Sequence, residues 1–511
     1  MRQYTAQSEI SNRLFKTPFE TNLDQKNRWV VLRDKLPWDE MVKPLYGKMS
    51  DKGRRTIDLR YVLGALIIQS MENLTDEATI SSIQENIYMQ YFIGLPSFST
   101  AEVFTPELFV TIRKRLGDKG VRQINDSLLR FLHDTGKIKH RKAYVKHSDD
   151  QKKKDDIDKD DNFQQGQPAV NRGTLKVDAT VAPQWVKFPI DSDLLNDCRK
   201  SSEQIIDLLW EEKCCGSVKP RTYRRNLAKK ILNFKKTKKP SGSKIRKINQ
   251  ALLSCLSRNL AHIEKGLDGH LLGLAVLSKT QYHEFLVIQC VYAQQLEMYK
   301  YKKNHVADRI VSFHQPWVRP MVRGKAGRKT EFGAQINISE SEGYVTFDQV
   351  NFNKFNEALW LEDQIEGYKQ LYGHYPAAVL ADKIYLTRKN RKFMKDKGIL
   401  HYGAPLGRPS KISKKEKLNR AKKQNKRSII EGKIGQAKTK FGLDQIKTRL
   451  LVTNMAKIHL VALGLNIWKY LQYLRTALDS FLNQLRTYMT LYISDTSQYL
   501  NITIGQNLIL T

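Results

Sequence analysis

Between residues 57 and 135 the apolar positions recur at helical spacing. Leu59, Val62, Leu63 and Leu66 share one face, Leu74-Thr75-Asp76 supplies a start signal, and the pattern resumes through Phe109, Ile112, Leu116, Ile124, Leu128 and Leu132. The pattern changes after Gly173, where Thr174 to Thr180 reads as a short buried strand, and returns to helix from 201 to 310. Phe332, Ala334, Ile336 and Ile338 then alternate with polar neighbours, Glu340 to Gly343 turn, and Tyr344 to Phe352 run back, which predicts paired strands. Ala358, Leu361, Ile365, Tyr368 and Tyr372 mark one face of an amphipathic helix. Pro376 opens a strand over Ala377–Ala381 that ends at Asp382, and Ile399 to Tyr402 forms one more short strand. A helix is predicted from about Arg427 to Phe441, followed by helical residues to about 490.

With the helical block at 201–310 set aside, the order is three strands, helix, strand, helix, strand, helix. That order fits an α/β fold, an RNase H-like mixed sheet interrupted by a helical insertion, with a helical N-terminal domain and a helical C-terminal segment. The expected divisions are a helical domain at 1–140 and a charged linker at 141–170, where Lys152 to Asp161 is almost wholly charged. The RNase H-like domain is expected over 171–200 plus 311–450, a basic helical insertion over 201–310, and C-terminal helices and tail over 451–511. Gln484 to Thr511 reads as a tail with little structure.

Charge changes the picture more than composition does. An apolar content of 41% is ordinary for a folded soluble chain, but 87 Lys and Arg against 52 Asp and Glu leave a net charge of +35. Such an excess attracts polyanions by counterion release, and nucleic acid is the leading partner. Arg221 to Lys247 contains no acidic residue, and Lys411 to Lys426 is similarly basic. The five cysteines, at 198, 214, 215, 255 and 290, show neither CxxC nor framework spacing, so they offer no zinc site or disulfide scaffold. The N-terminus lacks the apolar run of a secretory signal. The apolar stretch Ile458 to Trp468 carries His459 and Asn466 and is too short to span a bilayer. A cytoplasmic, nucleoid-associated protein with no membrane partner is expected.

Against this basic background three carboxylates stand in unusual positions. Asp178 interrupts an apolar strand, Asp382 terminates another, and Glu431 lies within Arg427-Ser428-Ile429-Ile430-Glu431-Gly432-Lys433. Isolated carboxylates in apolar surroundings are costly unless paired or metal-bound. A divalent ion with oxygen ligands is the simplest solution. Plainer roles stay open: Asp382 as a turn former or cap, Glu431 as a surface helix residue. Arg427, Glu431 and Lys438 stand at i, i+4 and i+11 on one helical face, beside an apolar face of Ile430, Ile434, Ala437 and Phe441. Gly432 and Gly435, poor helix formers, suggest close approach by another backbone or by DNA. Trp317 reads as a packing aromatic that could otherwise stack on a base.

These residues resemble the DDE-type transposases of bacterial insertion sequences, in the large group numbered four and five. Leu175-Lys176-Val177-Asp178-Ala179-Thr180 is similar to the motif of the first catalytic Asp, and Ala377 to Asp382 with Lys383-Ile384-Tyr385 to the second. The third motif reads Tyr, two residues, Arg, three residues, Glu, six residues, Lys; Arg427, Glu431 and Lys438 fit it, while Gln424 holds the Tyr position. Asp58 to Pro96 resembles the helical N-terminal domain of the group, and Val322 to Gly333 the segment entering its second strand, which implies that 1–140 is a DNA-binding domain and 171–200 plus 311–450 the catalytic domain.

The resemblance implies that Asp178, Asp382 and Glu431 are the catalytic residues and ligate two Mg²⁺ or Mn²⁺ ions. It implies hydrolysis of a strand at the element's end and later joining to target DNA, without a covalent protein–DNA intermediate. Arg427, Lys438, Lys433, Arg323, Lys325 and Arg328 are the expected DNA contacts. The partners are double-stranded DNA, as terminal inverted repeats and target, and a second copy of the chain, since two ends must be brought together. An RNase H-like nuclease without strand transfer and a domesticated DNA-binding protein are the competing readings.

Overall fold

In the computed structural model the described residues are 4–11, 23–49, 57–140, 171–212, 218–269, 273–322, 330–403, 418, 421–422 and 424–507, with side chains described to 485. The charged segment 141–170, Arg323, Lys325, Arg328 and most of Lys411 to Lys426 lie outside them.

The N-terminal region is helical: α1 (Gln7–Ser11), α2 (Arg28–Lys35), α3 (Trp38–Tyr46), α4 (Leu59–Glu72), α5 (Asp76–Glu85), α6 (Ile87–Ile93) and α7 (Glu107–Asp134). Local chemistry sets these limits. Asp58 caps α4 through the Arg60 N–H, Thr75 caps α5 through the Ala78 N–H, and α6 stops at Gly94 in the left-handed region. Helix α4 is buried almost all round, which explains why its sequence is apolar beyond a single stripe.

After β1 (Thr174–Pro183) come four long helices, α8 (Asp191–Glu211), α9 (Arg224–Lys235), α10 (Gly242–Asp268) and α11 (Lys279–Tyr301). They bury their own core, including Leu195, Ile206, Leu256, Ile263 and Ile288. The chain then returns as β2 (Arg319–Val322), β3 (Thr330–Ser341), β4 (Tyr344–Asn351), α12 (Leu361–Tyr372), β5 (Ala378–Leu380), α13 (Arg388–Asp396) and β6 (Leu400–His401). Helix α14 (Ser428–Thr439) and the long α15 (Leu451–Asn507) complete it.

The six strands form one mixed sheet. Its path runs β2, β3, β1, β5, β6, with β4 also pairing β3. Strand β3 is antiparallel to β1, β2 and β4, whereas β5 is parallel to both β1 and β6. Strand β2 was not foreseen: Arg319-Pro320-Met321-Val322 is too short to display an alternation, and Pro320 reads as a breaker. Gly333 sits where β1 and β3 come closest. A Cβ there would overlap the Ala182 carbonyl oxygen, so this position requires glycine.

Residue parity divides the faces. Leu175, Val177, Val379 and Ala381 join the core shared with the N-terminal helices and α12. Ala182, Ala334, Ile336 and Ile338 join a second core with Ile430, Ala437 and Phe441 of the α14 segment. Helix α15 contributes to both: Leu460 and Leu463 to the first, Ile458 and Leu465 to the second. Its stretch Leu451–Leu485 is long and apolar enough to cross a membrane, but 72% of its most apolar window is buried in the protein, as in a core helix. The expectation of a little-structured end from Gln484 is corrected, because the helix continues to Asn507. The β-branched Ile502-Thr503-Ile504 disfavours helix only weakly, and no proline follows Leu451 to stop it.

Strand β4 lies at the sheet edge, where backbone groups need partners from elsewhere. Fully buried Asn466 of α15 supplies them. Its Oδ1 accepts from the Val345 N–H at 2.8 Å, and its Nδ2 donates to the Val345 carbonyl at 2.7 Å and to Asn125 Oδ1 at 2.8 Å. One amide thereby joins α7, β4 and α15.

Candidate active site

Strand register brings the first two carboxylates together. Lys176 pairs with Leu380 at the last rung of the parallel β1–β5 ladder, and Asp178 and Asp382 each follow two residues later, Asp382 just past the end of β5 and near enough to Asp178 to act on its carboxyl. The Asp178 face belongs to the α14 side of the sheet, because Ala182, at even spacing from Asp178, packs there. Ile430, Ala437 and Phe441 are buried against it, which holds the neighbouring Arg427 and Glu431 over the strand ends. The residue in the Tyr position, Gln424, donates its Nε2 to the Ala381 carbonyl at 2.8 Å and ties the segment before α14 to the end of β5.

Arg427 lies between two of the carboxylates. Its guanidinium donates to Asp178 at 3.1 Å and to Glu431 at 2.6 Å. Asp178 also accepts from the Ala179 N–H at 2.8 Å, and Asp382 accepts from the Lys383 N–H at 2.6 Å as the cap of a short 3-10 turn, Lys383–Tyr385. The capping role therefore exists, and it leaves the other Asp382 oxygen uncommitted to that bond. Burial raises the Asp178 carboxyl above its ordinary range; the Ala179 N–H and Arg427 oppose the shift, while Glu431 and Asp382 add to it. Asp178 and Glu431 on Arg427, with Asp382 acting on Asp178, bring three carboxylates and one arginine together and leave two formal negative charges with an all-oxygen donor set. That composition fits a hard divalent cation.

The other expected contacts fall differently. Lys438 reaches Glu331 of β3 at 3.9 Å. Lys433 is half-buried, its ammonium pKa lowered by burial and by Lys469, with Glu340 opposing; standing two residues from Glu431, it points to another side of the helix. Arg323, Lys325 and Arg328 lie outside the described residues. Among the described residues a Cβ at Gly432 or Gly435 would meet nothing within 4 Å, so no described backbone from another segment packs there. Trp317 packs half-buried against the α14-side core. Of the run Arg221 to Lys247, Arg224 is held by Asp207, Lys235 by Asp193, and Arg225, Lys229, Lys230, Lys244 and Lys247 are exposed.

Sequence reading missed a group of histidines. His133, His140 and His374 each bring one ring nitrogen within 4.8 Å of the others, and they form the one such metal-capable cluster found among the described residues. Their separation along the chain hid them. Burial, with the neighbouring His374 and His133, lowers the His140 imidazole to about 3, and burial lowers that of His374 as well.

Comparisons with known proteins bear on both halves of the molecule. Residues 379–467 match a family model described as a transposase DDE domain, a span that includes Asp382 and Glu431 and begins after Asp178. Residues 17–115 match a transposase domain (DUF772). An uncharacterized protein, ORF8 in the nfe locus of Rhizobium meliloti, is 23% identical over 129 residues, which is 25% of this chain and 62% of that protein. No solved structure matches the chain.

Proposed function

We propose that this chain, which matches a transposase DDE domain and a transposase domain, is a DDE-type transposase of an insertion sequence that cleaves DNA at the ends of its element and joins those ends to a target. The observation that carries the proposal is the convergence of Asp178 and Asp382 with Arg427 and Glu431. The strand arrangement, three antiparallel strands β4, β3 and β1 continued by parallel β5 and β6, supports an RNase H-like catalytic layer with the α8–α11 helices inserted after β1.

Asp178, Asp382 and Glu431 would hold divalent ions, two Mg²⁺ or Mn²⁺. When bound, such ions supply charge neutralisation at the attacking and leaving oxygens of a phosphodiester. The chain's own groups do the positioning. Half-buried Asp178 is anchored by the Ala179 N–H and Asp382 by the Lys383 N–H, so neither needs to reorganise when DNA arrives. Arg427 would exchange its carboxylate partners for a DNA phosphate near the scissile bond, offering a bidentate fork. Lys438 would add a point charge further along the same face. The attacking group is water in the first step and the freed 3′-hydroxyl in the second; the leaving oxygen departs on the opposite side of the phosphorus.

The exposed lysines and arginines of α9 and the start of α10 would track the DNA backbone. The terminal repeats would be read by the N-terminal helices, and a homodimer would hold two ends. The test uses Asp178→Asn, Asp382→Asn and Glu431→Gln in an end-cleavage assay with parallel gel-shift titration. Each variant is expected to lose cleavage at least about 100-fold, on the scale of a lost electrostatic contact to the transition state, while keeping DNA affinity within a few-fold. Normal cleavage by any one removes that residue from the site.

A further inference from the structure

The histidine cluster lies at the other end of the strands from the carboxylates. His133 is in the last turn of α7, His140 follows six residues after that helix ends, and His374 lies between α12 and β5. Asp382 leaves β5 at its far end, so the two sites are separated by the length of the strand. Ring centroids are 5.6 Å apart for His133 and His140, 5.3 Å for His140 and His374, and 6.0 Å for His133 and His374.

One nitrogen of each ring has a polar neighbour. His133 Nδ1 meets Asp134 Oδ1 at 3.2 Å, His140 Nε2 meets Ser341 Oγ at 3.2 Å, and His374 Nδ1 meets the Tyr375 carbonyl at 3.2 Å. A carboxylate, a hydroxyl and a backbone carbonyl are the partners that orient metal-binding imidazoles and fix their tautomers. The remaining His140 nitrogen, Nδ1, is buried without a hydrogen-bond partner. An orphaned buried nitrogen is costly in a finished core, whereas a coordinate bond would satisfy it. Tyr368 and Tyr372 pack on His140, with centroids 5.3 and 4.5 Å away, and wall the cluster on that side. Gly173 matters too, since a Cβ there would crowd the His140 ring and the Tyr368 hydroxyl.

We propose that His133, His140 and His374 form a transition-metal site, of the kind that takes Zn²⁺, tying the end of the N-terminal helical region to the entry of β5. Imidazole ligands select Zn²⁺, Ni²⁺ or Cu²⁺ over Mg²⁺, so this site and the carboxylates would not compete for one ion. In a tetrahedral complex the nitrogens would lie roughly 3.4 Å apart, from Zn–N bonds of about 2.0–2.1 Å. One nitrogen of each ring already lies within 4.8 Å of the others, near the separation an ion requires. The ion would fix His140, the last described residue before the 141–170 stretch, against the entry of β5, and Gly173 just after that stretch packs on the same ring.

The test is a Co²⁺ titration of tag-free, chelator-stripped full-length protein, read by visible d–d absorption and by displacement with Zn²⁺. One tightly held Co²⁺ per chain is expected, unaffected by excess Mg²⁺ and retained in Asp178→Asn. His140→Ala is expected to weaken binding by more than about 100-fold, beyond the cost of losing an outer partner. Because His140 is packed among aromatic rings, His133→Gln, at the more accessible corner, is measured as well with circular dichroism to establish folding. Zn²⁺ is also expected to raise the melting temperature of the parent but not of either variant. Absence of a one-equivalent band, or a band that survives in folded His133→Gln, overturns the site.

Discussion

Replacing Asn466 with leucine keeps the side chain's approximate volume and deletes three hydrogen bonds at once. The Val345 N–H, the Val345 carbonyl and Asn125 Oδ1 would all be left inside the protein, where Asn466, Asn125 and Val345 are 0%, 3% and 1% exposed. An unsatisfied buried polar group costs about 1–3 kcal/mol. Asn125 Nδ2 stands 3.5 Å from the Val345 carbonyl and rescues that acceptor in part. The apolar gain from leucine offsets about 1–2 kcal/mol. The net expectation is a loss of about 3–4 kcal/mol, a large part of the roughly 5–15 kcal/mol that holds an ordinary domain together. Asn125→Ala, which removes one Asn466 partner and the long contact to the Val345 carbonyl but leaves both Asn466–Val345 bonds intact, is expected to cost only about 1 kcal/mol. Urea unfolding followed by circular dichroism measures the loss as a lower midpoint. Hydrogen exchange over β4 locates it, with the Val345 amide expected to lose protection. If Asn466→Leu unfolds within about 0.5 kcal/mol of the parent, typical of a neutral surface change, or β4 keeps its protection, the bridge between α7, β4 and α15 does not carry the energy assigned to it.

Two further perturbations probe the frame around the site. Gly333→Ala would drive a methyl into the Ala182 carbonyl, and a loss of about 3 kcal/mol or more is expected by thermal melting, at the upper end of overpacking costs; an unchanged melting temperature would show that β1 and β3 can separate freely. Asp126 of α7, raised to about 6 by burial and by Asp348 against the pull of Arg122 and Arg130, favours its protonated form in the folded state. Its contribution to stability is therefore complete below the ordinary carboxylate pKa and is lost as pH rises towards about 6. Asp126→Asn should stabilise the protein at pH 7 by about 1–3 kcal/mol, at 1.36 kcal/mol per pKa unit and discounted for water at a half-buried group. The gap from the parent should shrink as pH falls from 6 towards 4, and a gap that is constant or negative over that range would contradict the assignment.

Much of this architecture was legible in the chain because strong periodicities coincide with strong burial. The helical spacing through Leu59 to Leu132 and the alternation from Phe332 to Ile338 report faces that are in fact covered. Asp178, Asp382 and Glu431 could be picked out because a charge in an apolar run is rare. Their register could not, since it depends on the parallel ladder that sets Lys176 beside Leu380. The histidines were invisible for a related reason. His133, His140 and His374 are ordinary in their local surroundings, and only the packing of α7 and α12 beside the start of β5 gathers them. Strand β2 escaped because four residues containing a proline carry no period. The far end of α15 escaped because β-branched residues predict strand or tail in isolation, while helix propagation from a long preceding stretch outweighs a preference of a few tenths of a kcal/mol.

The central claim is that Asp178, Asp382 and Glu431 form one metal-dependent centre acting at the ends of a mobile element. It is tested most directly by incubating the purified protein with a labelled duplex carrying the element's own end and flank, in Mg²⁺ and in EDTA. The account predicts a nick at the boundary that exposes a 3′-hydroxyl, appears only with Mg²⁺, and vanishes in Asp178→Asn. Binding without cutting, cutting that ignores the boundary, or cutting that persists in Asp178→Asn would contradict it.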